Sequence, residues 1–489
     1  MRVFRTKSVE RSIRDTDEPG HRLRRDLSAL DLTVFGVGVI IGTGIFVLTG
    51  EVAKEKSGPA VALSFVAAAI ACGLAALCYA EFASTVPVAG SAYTFSFATL
   101  GELPAWIIGW DLVLELALAA ATVAVGWSGY ARTLLSDLGW DLPSSVAGEH
   151  ATFNIPAALI VLVVTGVLVL GVKVSSRVNA VIVAIKIAVV LFVIVAGLFF
   201  IKGANYHPFV PKAVPTPEAH GGKTPLIQVI FGFVPSTYGW AGVFAGAAIV
   251  FFAFIGFDIV ATAAEETKKP QRDLPVGIIA SLAICTTLYV AVSLVVVGIQ
   301  NYRQLSVDAP LADAFKAIGH SGFATIVSVG ALAGLTTVVL ILILGQSRVF
   351  FAMSRDGLLP PWLAKVHPKY GTPARMTVII GVVVAAIAGL VPLSALADLV
   401  NIGTLFAFVV VSVGVVLLRR TRPDLERSFR VPASPLVPIL AVLACVYLML
   451  NLPVETWIRF VVWMLIGFAI YFTYGYAHSR AGKPSVESR

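Results

Sequence analysis

The sequence predicts an all-α polytopic membrane protein, on the basis of its composition and of the spacing of its apolar windows. Of its 489 residues, 58% are hydrophobic and 13% are charged, whereas soluble domains carry about 25% charged residues. A bilayer core about 30 Å thick needs roughly 20 apolar residues per helix. Windows of that length recur between Asp31 and Tyr476, so we expect the bilayer to be the main solvent of the folded chain.

These windows predict twelve membrane spans, which we number spans 1 to 12 in chain order. Their predicted ranges are 31–50, 59–85, 96–128, 155–173, 178–201, 240–264, 275–299, 323–352, 375–392, 396–419, 436–451 and 457–476. The longest connection, 202–239, is rich in proline, glycine and lysine and separates two five-span halves, 31–201 and 240–419. Spans 11 and 12 follow in 420–476.

The placement of the basic residues predicts the orientation of the chain. Clusters of them lie at the even-numbered connections, which are those that follow spans 4, 6, 8 and 10. They are Lys173, Arg177, Lys268, Lys269, Arg272, Arg348, Arg355, Lys365, Lys369, Arg375, Arg419, Arg420, Arg422, Arg427 and Arg430. Because cytoplasmic loops are enriched in lysine and arginine, we expect the basic segment 1–30 and the tail 477–489 to be cytoplasmic and 202–239 to be an extracellular loop. Topology thus accounts for the net charge of +8, and no nucleic acid is expected as a partner.

The cysteines and histidines predict no metal site and no cofactor. The four cysteines lie inside apolar windows without metal-ligand or redox spacing, and the seven histidines fall in predicted loops or at helix ends. A membrane-embedded enzyme would need a nucleophile with its base, or metal ligands, inside the membrane. We therefore do not expect an enzyme.

Span 1 is interrupted by a cluster of glycines in the stretch GVGVIIGTGIF, 36–46. Each glycine costs helix stability relative to alanine, so a continuous helix would not need them. If the chain unwinds at Gly42, Thr43 and Gly44, free backbone N–H groups at the start of the outer half-helix can hold a carboxylate. The alternative is that these glycines only allow close helix packing.

Span 6 has a second interruption in FFAFIGFD, where Gly256 precedes Asp258. Unwinding there would free carbonyl groups at the end of a half-helix, and carbonyls suit an ammonium group. Asp258 has the alternative role of a structural cap in this break. Broken spans that open each half are a pointer to a transporter site between inverted repeats, and donors on one break with acceptors on the other suit a zwitterion. An α-amino acid is the simplest such ligand.

Several long motifs in the same order resemble the amino acid–polyamine–organocation permeases, and within them the cationic amino acid transporter branch. The motifs are GVGVIIGTGIF (36–46), CYAEFASTVPVAGSAYTF (78–95), FFAFIGFDIVATAAEETKKPQRDLP (251–275), GQSRVFFAMSRDGLLP (345–360), LVNIGTLFAF (399–408) and YFTYGYAHSR (471–480). The resemblance implies a leucine-transporter-like inverted repeat of five plus five helices with spans 11 and 12 outside it. It also implies a secondary active amino-acid transporter of the cell membrane that works by alternating access.

On span 1, the resemblance assigns the substrate carboxylate to the break at Gly42, with Thr43 and Gly44 as hydrogen-bond donors. The carbonyl of Ile40 would face the substrate amino group. These roles belong largely to the backbone.

On span 6, the resemblance assigns the substrate ammonium to the backbone carbonyls of Phe252, Ala253 and Ile255, and Phe252 would also cover the substrate as an aromatic gate. The middle of span 8 faces the site in this fold. It reads VVLILILG, 338–345, and offers no acidic or hydroxyl group to a cationic side chain. This pattern makes Leu342 a candidate specificity residue and favours neutral substrates such as alanine.

Two charged residues lie deep in predicted spans and are candidates for proton coupling. Lys186 is in span 5, where a charged lysine is costly and functional by default; the resemblance places it near Gly42, where a sodium ion sits in sodium-coupled relatives. Glu115, in span 3, has three open readings: an ion pair with Lys186, which we favour, a contact with a cationic substrate, or a polar pocket that holds water. A fixed structural cation is the alternative reading of Lys186.

The sequence therefore predicts a protein that is surrounded by membrane lipids and takes up a neutral L-amino acid together with a proton. Coupling to sodium is not expected. The main alternative is an exchanger or uniporter of the cationic amino acids arginine and lysine, with the same fold and site but a permanently charged Lys186. A channel is disfavoured, because two broken spans with amino-acid-sized backbone sites suit a carrier.

Overall fold

We analysed a computed structural model of the chain, which describes residues 26–86, 91–148, 151–171, 176–215, 222–234, 236–365, 367 and 372–479. The predictions for 1–25, for Lys173 and Lys369 and for 480–489 lie outside the described residues. The protein is predominantly helical and polytopic. A small sheet in the described part of the chain pairs Val214–Pro215 with Ser236–Thr237 in antiparallel orientation.

The first half contains spans 1 to 5. Its helices are Ala29–Ile40, Thr49–Val52 between the π-helical turns Gly44–Leu48 and Ala53–Ser57, Val61–Thr85, Ser91–Thr99, Glu102–Asp137, Ile155–Val169 and Ser176–Leu198. The connection to the second half carries the short helices Gly203–Tyr206 and Leu226–Phe231.

The second half contains spans 6 to 10. Its helices are Gly239–Val250, the 3₁₀ turn Phe251–Phe254, Phe257–Val260 with the 3₁₀ turn Ala261–Glu266, Pro270–Ile299, Tyr302–Gln304, Pro310–Ala317, Ser321–Arg355, Pro361–Ala364, Ala374–Leu390 and Leu393–Thr421. Spans 11 and 12 are Leu436–Leu450 and Val454–Ile470, the latter continuing through Tyr471–Gly475 and Tyr476–His478.

The helices agree with the predicted spans except in spans 1 and 3. Span 1, predicted to end at residue 50, continues in helical turns to Ser57. Eight helical segments of the described chain are long and apolar enough to cross a membrane, and the four shorter apolar helices are Ala29–Ile40, Ile155–Val169, Ala374–Leu390 and Leu436–Leu450. The predicted range of span 3, 96–128, is wrong at both ends, since the helix runs from Glu102 to Asp137. The preceding helix is separate because Gly101 has a φ of 105°, a conformation that favours glycine and interrupts a helix.

Both predicted breaks are present. In span 1 the helix ends at Ile40, Ile41 is extended, and helical structure resumes at Gly44. In span 6, Ile255 is extended and Gly256 has a φ of 121°, so the break requires a glycine at that position. Span 7 packs against spans 1 and 2, and span 3 packs against spans 8 and 10. The two breaks therefore lie inside the helix bundle.

Glu81, near the end of span 2, illustrates how the bundle accommodates a buried charge. Its carboxylate accepts hydrogen bonds from Nε of Arg419 at 2.8 Å and from the backbone N–H of Val431 at 2.7 Å. Arg427 contributes a further ion pair at 3.5 Å. Charge-assisted bonds of this kind compensate for desolvation, and they tie span 2 to span 10 and to the connection that follows it.

Candidate functional site

The breaks in spans 1 and 6 touch each other at Gly44 and Ala253. A Cβ atom at position 44 would overlap the Cα and Cβ atoms of Ala253. By contrast, a Cβ atom at Gly42 would lie 3.6 and 3.7 Å from the methyl groups of Val338 and 4.0 Å from the carbonyl oxygen of Ile40, which are ordinary contacts. Gly44 is therefore the glycine that close approach of the two backbones demands, while position 42 has room for a methyl group.

A small cavity lies beside this contact. Its predicted lining residues are Ile40, Gly42, Thr43, Gly44, Phe252, Ile255 and Leu342, and Val338 belongs to the stretch of span 8 that was expected to face the site. The lining residues that sequence reasoning missed are Val39, Ala119 and Val123. Ala253, also predicted, does not line the cavity and packs behind it on Gly44. The volume is about 20 Å³, enough for a water molecule, so an amino acid requires the bundle to move apart.

The cavity offers one polar side chain and an otherwise apolar surface. Thr43 is fully buried, and its Oγ1 has no hydrogen-bond partner among the described residues. A Cβ at Gly126 of span 3 would lie 2.8 Å from Cγ2 of Thr43, so glycine there leaves the space that the threonine fills. A buried hydroxyl without a partner costs free energy, and the Thr43 hydroxyl is available to a ligand.

Tyr289 of span 7, which sequence reasoning missed, contacts both breaks. Its hydroxyl lies 2.6 Å from the carbonyl oxygen of Ile40 and 2.9 Å from that of Ala253. A phenol has a single proton to donate, so the hydroxyl can form a full hydrogen bond with only one of the two carbonyls at a time. The ring is fully buried against Phe65 and Phe254. The two carbonyls assigned to the substrate ammonium thus already share one donor.

Two further side chains cap the break in span 6. Nδ2 of Asn401, in span 10, donates to the carbonyls of Ala248 and Ile249 at 2.8 and 3.0 Å. The backbone N–H of Gly256 donates to Oδ1 of Asp258 at 3.2 Å, which is the structural cap considered for Asp258 above. Asn401 belongs to the motif LVNIGTLFAF, but nothing in the sequence pairs it with span 6.

Lys186 lies against the break in span 1, in the place that the resemblance implied. Its ammonium donates to the carbonyl of Gly38 at 2.6 Å and to that of Ile41 at 3.3 Å, and the residue is 1% exposed. Its stem also packs on span 8, because a Cβ at Gly334 would lie 3.0 Å from Cγ of Lys186. Lys186 therefore joins spans 5, 1 and 8.

The ion pair expected between Lys186 and Glu115 is not formed, and that interpretation was wrong for this structure. Neither carboxylate oxygen of Glu115 has a hydrogen-bond or ion-pair partner among the described residues. Its electrostatic neighbours are acidic, Asp258 and Asp111, and Thr404 of span 10 lies beside it. The distance between spans 3 and 5 decides this pairing, and one sequence does not contain it.

Asp111 lies one helical turn before Glu115 and was not a predicted site residue. It is fully buried, and neither of its carboxylate oxygens has a hydrogen-bond partner among the described residues. A Cβ at Gly403 of span 10 would lie 2.7 Å from its Oδ1. The (i, i+4) spacing of the two acids in span 3 was visible in the sequence, but their common orientation toward span 10 was not.

Comparison with known proteins gives a consistent result over nearly the whole chain. The family model for amino acid permeases matches residues 27–472. The branched-chain amino acid permease BcaP of Bacillus subtilis is 50% identical over 98% of this chain and 98% of its own length. A methylthioribose transporter of the same organism is 46% identical over 98% of this chain and 99% of its length. Human cationic amino acid transporter 4 is 32% identical over 98% and 91%.

We expect Gly44→Ala to abolish ligand binding while Gly42→Ala retains it. The added methyl group at position 44 overlaps Ala253, and overpacking of this kind costs about 1–3 kcal/mol, whereas position 42 has room. Binding measured by ligand-induced thermal stabilisation of both purified variants tests this, with size-exclusion profiles as the folding control. Equal binding by the two variants would contradict the assigned contact.

We expect Tyr289→Phe to weaken ligand binding by about fivefold, because the hydroxyl that holds the carbonyls of Ile40 and Ala253 beside each other is lost and one hydrogen bond is worth about 1 kcal/mol. The phenyl ring keeps the packing on Phe65 and Phe254, but the two buried carbonyls lose their donor, so the melting temperature without ligand should also fall. Phe65→Leu, which alters the packing and leaves the hydroxyl in place, is the matched control. An unchanged affinity in Tyr289→Phe would remove the hydroxyl from the site.

Proposed function

The chain belongs to the amino acid permease family, and from that premise we propose that it takes up neutral, apolar L-amino acids together with protons by alternating access. The same proposal includes three further points. The segments 31–201 and 240–419 form an inverted repeat, both termini are cytoplasmic, and the protein lies in the plasma membrane, as expected for a bacterial permease. The observation that carries it is the cavity between the two broken spans.

The cavity supports the assignment of an α-amino acid as the ligand. The hydroxyl of Thr43 and the N–H groups that follow the first break are suited to a carboxylate, and the carbonyls of Ile40 and Ala253 are suited to an ammonium group. When an amino acid binds, its ammonium group supplies three protons, so both carbonyls can be satisfied at once. This set of groups matches a zwitterion.

The rest of the lining supports an aliphatic side chain. Ala119, Val123, Val338 and Leu342 are all apolar, and no residue that lines the cavity is charged. A cationic side chain placed there would lose its hydration without an acidic partner, which is costly. We therefore favour alanine and the branched-chain amino acids over arginine and lysine. The branched-chain substrates named for one relative agree with this preference.

The experiment that tests the substrate class is a thermal-shift screen of the purified protein, followed by uptake into proteoliposomes. A ligand at 100 times its Kd stabilises a protein by about 2.7 kcal/mol. We expect stabilisation by alanine, valine, leucine and isoleucine and none by arginine or lysine. Methylthioribose, the substrate named for another relative, enters the same screen as a competitor. Stabilisation by that sugar alone would overturn the amino-acid assignment.

Lys186 and Glu115 support coupling to protons. The Lys186 ammonium donates to two carbonyls of span 1 at the break, so loss of its proton would replace two charge-assisted hydrogen bonds by weaker neutral ones and loosen that part of the site. A buried carboxyl group without a cationic partner costs less as the neutral acid, and Glu115 with its neighbour Asp111 is such a group. A fixed structural tie by Lys186 is the alternative.

We expect uptake to rise as the external pH falls below the internal pH, and Lys186→Ala to lose this response before it loses binding. Without the ammonium, protonation can no longer bias the geometry of span 1. Lys186→Arg should bind ligand and also lack the pH response, because arginine does not deprotonate in proteins. Uptake by Lys186→Ala with the pH dependence of the unsubstituted protein, or a requirement for sodium at every pH, would contradict proton coupling through this residue.

We expect Leu342→Ser to widen selectivity toward arginine and lysine, because it shortens a lining side chain and adds a hydroxyl to an apolar wall. Leu344→Ser is the matched control, since Leu344 is half-buried and does not line the cavity. Competition of unlabelled arginine against labelled leucine uptake measures the change. No gain in competition over the control variant would argue against Leu342 as the specificity residue.

A further inference from the structure

The connection between spans 5 and 6, predicted to be extracellular, contains a stretch of exposed apolar side chains. Helix Leu226–Phe231 turns Gln228 inward, where it is 7% exposed. The last three residues of this helix and two residues just after it are 55–70% exposed: Val229, Ile230, Phe231, Phe233 and Val234. We call residues 229–234 the apolar loop. Contiguous exposed apolar side chains of this kind mark an interaction surface.

Backbone hydrogen bonds hold the segment that immediately precedes the apolar loop beside the turn between spans 11 and 12. The N–H of Leu226 donates to the carbonyl of Leu452, and the N–H of Val454 donates to the carbonyl of Thr224, both at 3.0 Å. The helix of span 11 ends at Leu450 and that of span 12 begins at Val454. This turn therefore marks the level at which both spans reach the surface of the membrane, and the apolar loop lies at that level.

The chemistry of the surrounding sequence fits lipid. No charged residue occurs between Lys223 and Asp258, and aromatic residues such as Trp240, which is 62% exposed in the first turn of span 6, are typical of the membrane interface. We propose that the apolar loop inserts into the adjacent leaflet as a monotopic lipid anchor. The side chains of Ile230, Phe231 and Phe233 then lie among acyl chains, as in other interfacial segments.

The surface fits a protein partner less well. A stable protein interface buries about 800 Å² on each partner and has a polar rim, and six residues of a loop offer neither. The exposed side chain of Trp240 follows the apolar loop in the sequence, and an aromatic side chain of this kind suits the interface of a bilayer. Because it immediately precedes span 6, the anchor fixes the depth of helix Gly239–Val250, the half-helix that leads to the break.

Site-directed spin labelling of the full chain in liposomes of phosphatidylethanolamine and phosphatidylglycerol tests this proposal. Ile230→Cys and, separately, Phe233→Cys receive a nitroxide, and power saturation compares collisions with oxygen, which concentrates in lipid, and with a water-soluble nickel chelate. The matched control is Lys212→Cys, an exposed position of the same connection. The four native cysteines are buried, so the unsubstituted protein serves as the labelling blank.

We expect both loop labels to collide with oxygen severalfold more than the control label does, and with the nickel chelate severalfold less. Loop labels that match Lys212→Cys would place the segment in water and overturn the proposal. Low collision with both reagents would mean that protein covers the loop, either a second copy or another chain, and would equally overturn it. If one variant fails to fold, the other gives the same decision.

Discussion

The structure depends on one constraint: backbone polar groups that a break releases inside a membrane must find partners within the protein. Spans 1 and 6 each lose helical hydrogen bonds in the middle of the bundle, where water is scarce. Side chains from other spans supply the missing partners. Each of three side chains donates hydrogen bonds to two backbone carbonyls: Lys186 to those of Gly38 and Ile41, Tyr289 to those of Ile40 and Ala253, and Asn401 to those of Ala248 and Ile249.

These partners make the two breaks a single unit. Spans 5, 7 and 10 each provide one side chain, and Tyr289 reaches both breaks with the same hydroxyl. The contact of Gly44 with Ala253 leaves no room for a side chain between them. What remains incompletely satisfied is the Thr43 hydroxyl and the shared donor at the two carbonyls, and these are the groups to which a zwitterion is complementary. The proposed binding site thus coincides with the polar groups at the two breaks whose hydrogen bonds within the protein are incomplete.

The acidic residues of span 3 follow a different arrangement. Glu81 at the end of span 2 is surrounded by arginines and a backbone donor. Asp111 and Glu115 instead face Gly403 and Thr404 of span 10, and their carboxylate oxygens have no hydrogen-bond partner among the described residues. Buried acidic residues therefore occupy two different environments in this bundle, one rich in cationic and N–H donors and one without them in the described part of the chain.

The sequence by itself determined the class of the protein, the apolar spans and the positions of both breaks, and the resemblance supplied most of the cavity residues. The length of an apolar window follows from the thickness of the bilayer, and the break in span 6 follows from Gly256, whose positive φ favours glycine, because backbone preference is local. The resemblance placed Lys186 at span 1. Only the tertiary structure decided that Lys186 and Glu115 are not paired, that Tyr289 and Asn401 cap the breaks, and that Asp111 faces span 10. Those facts depend on distances between spans far apart in the chain, and neither periodicity nor composition encodes which side chain of one helix reaches the backbone of another.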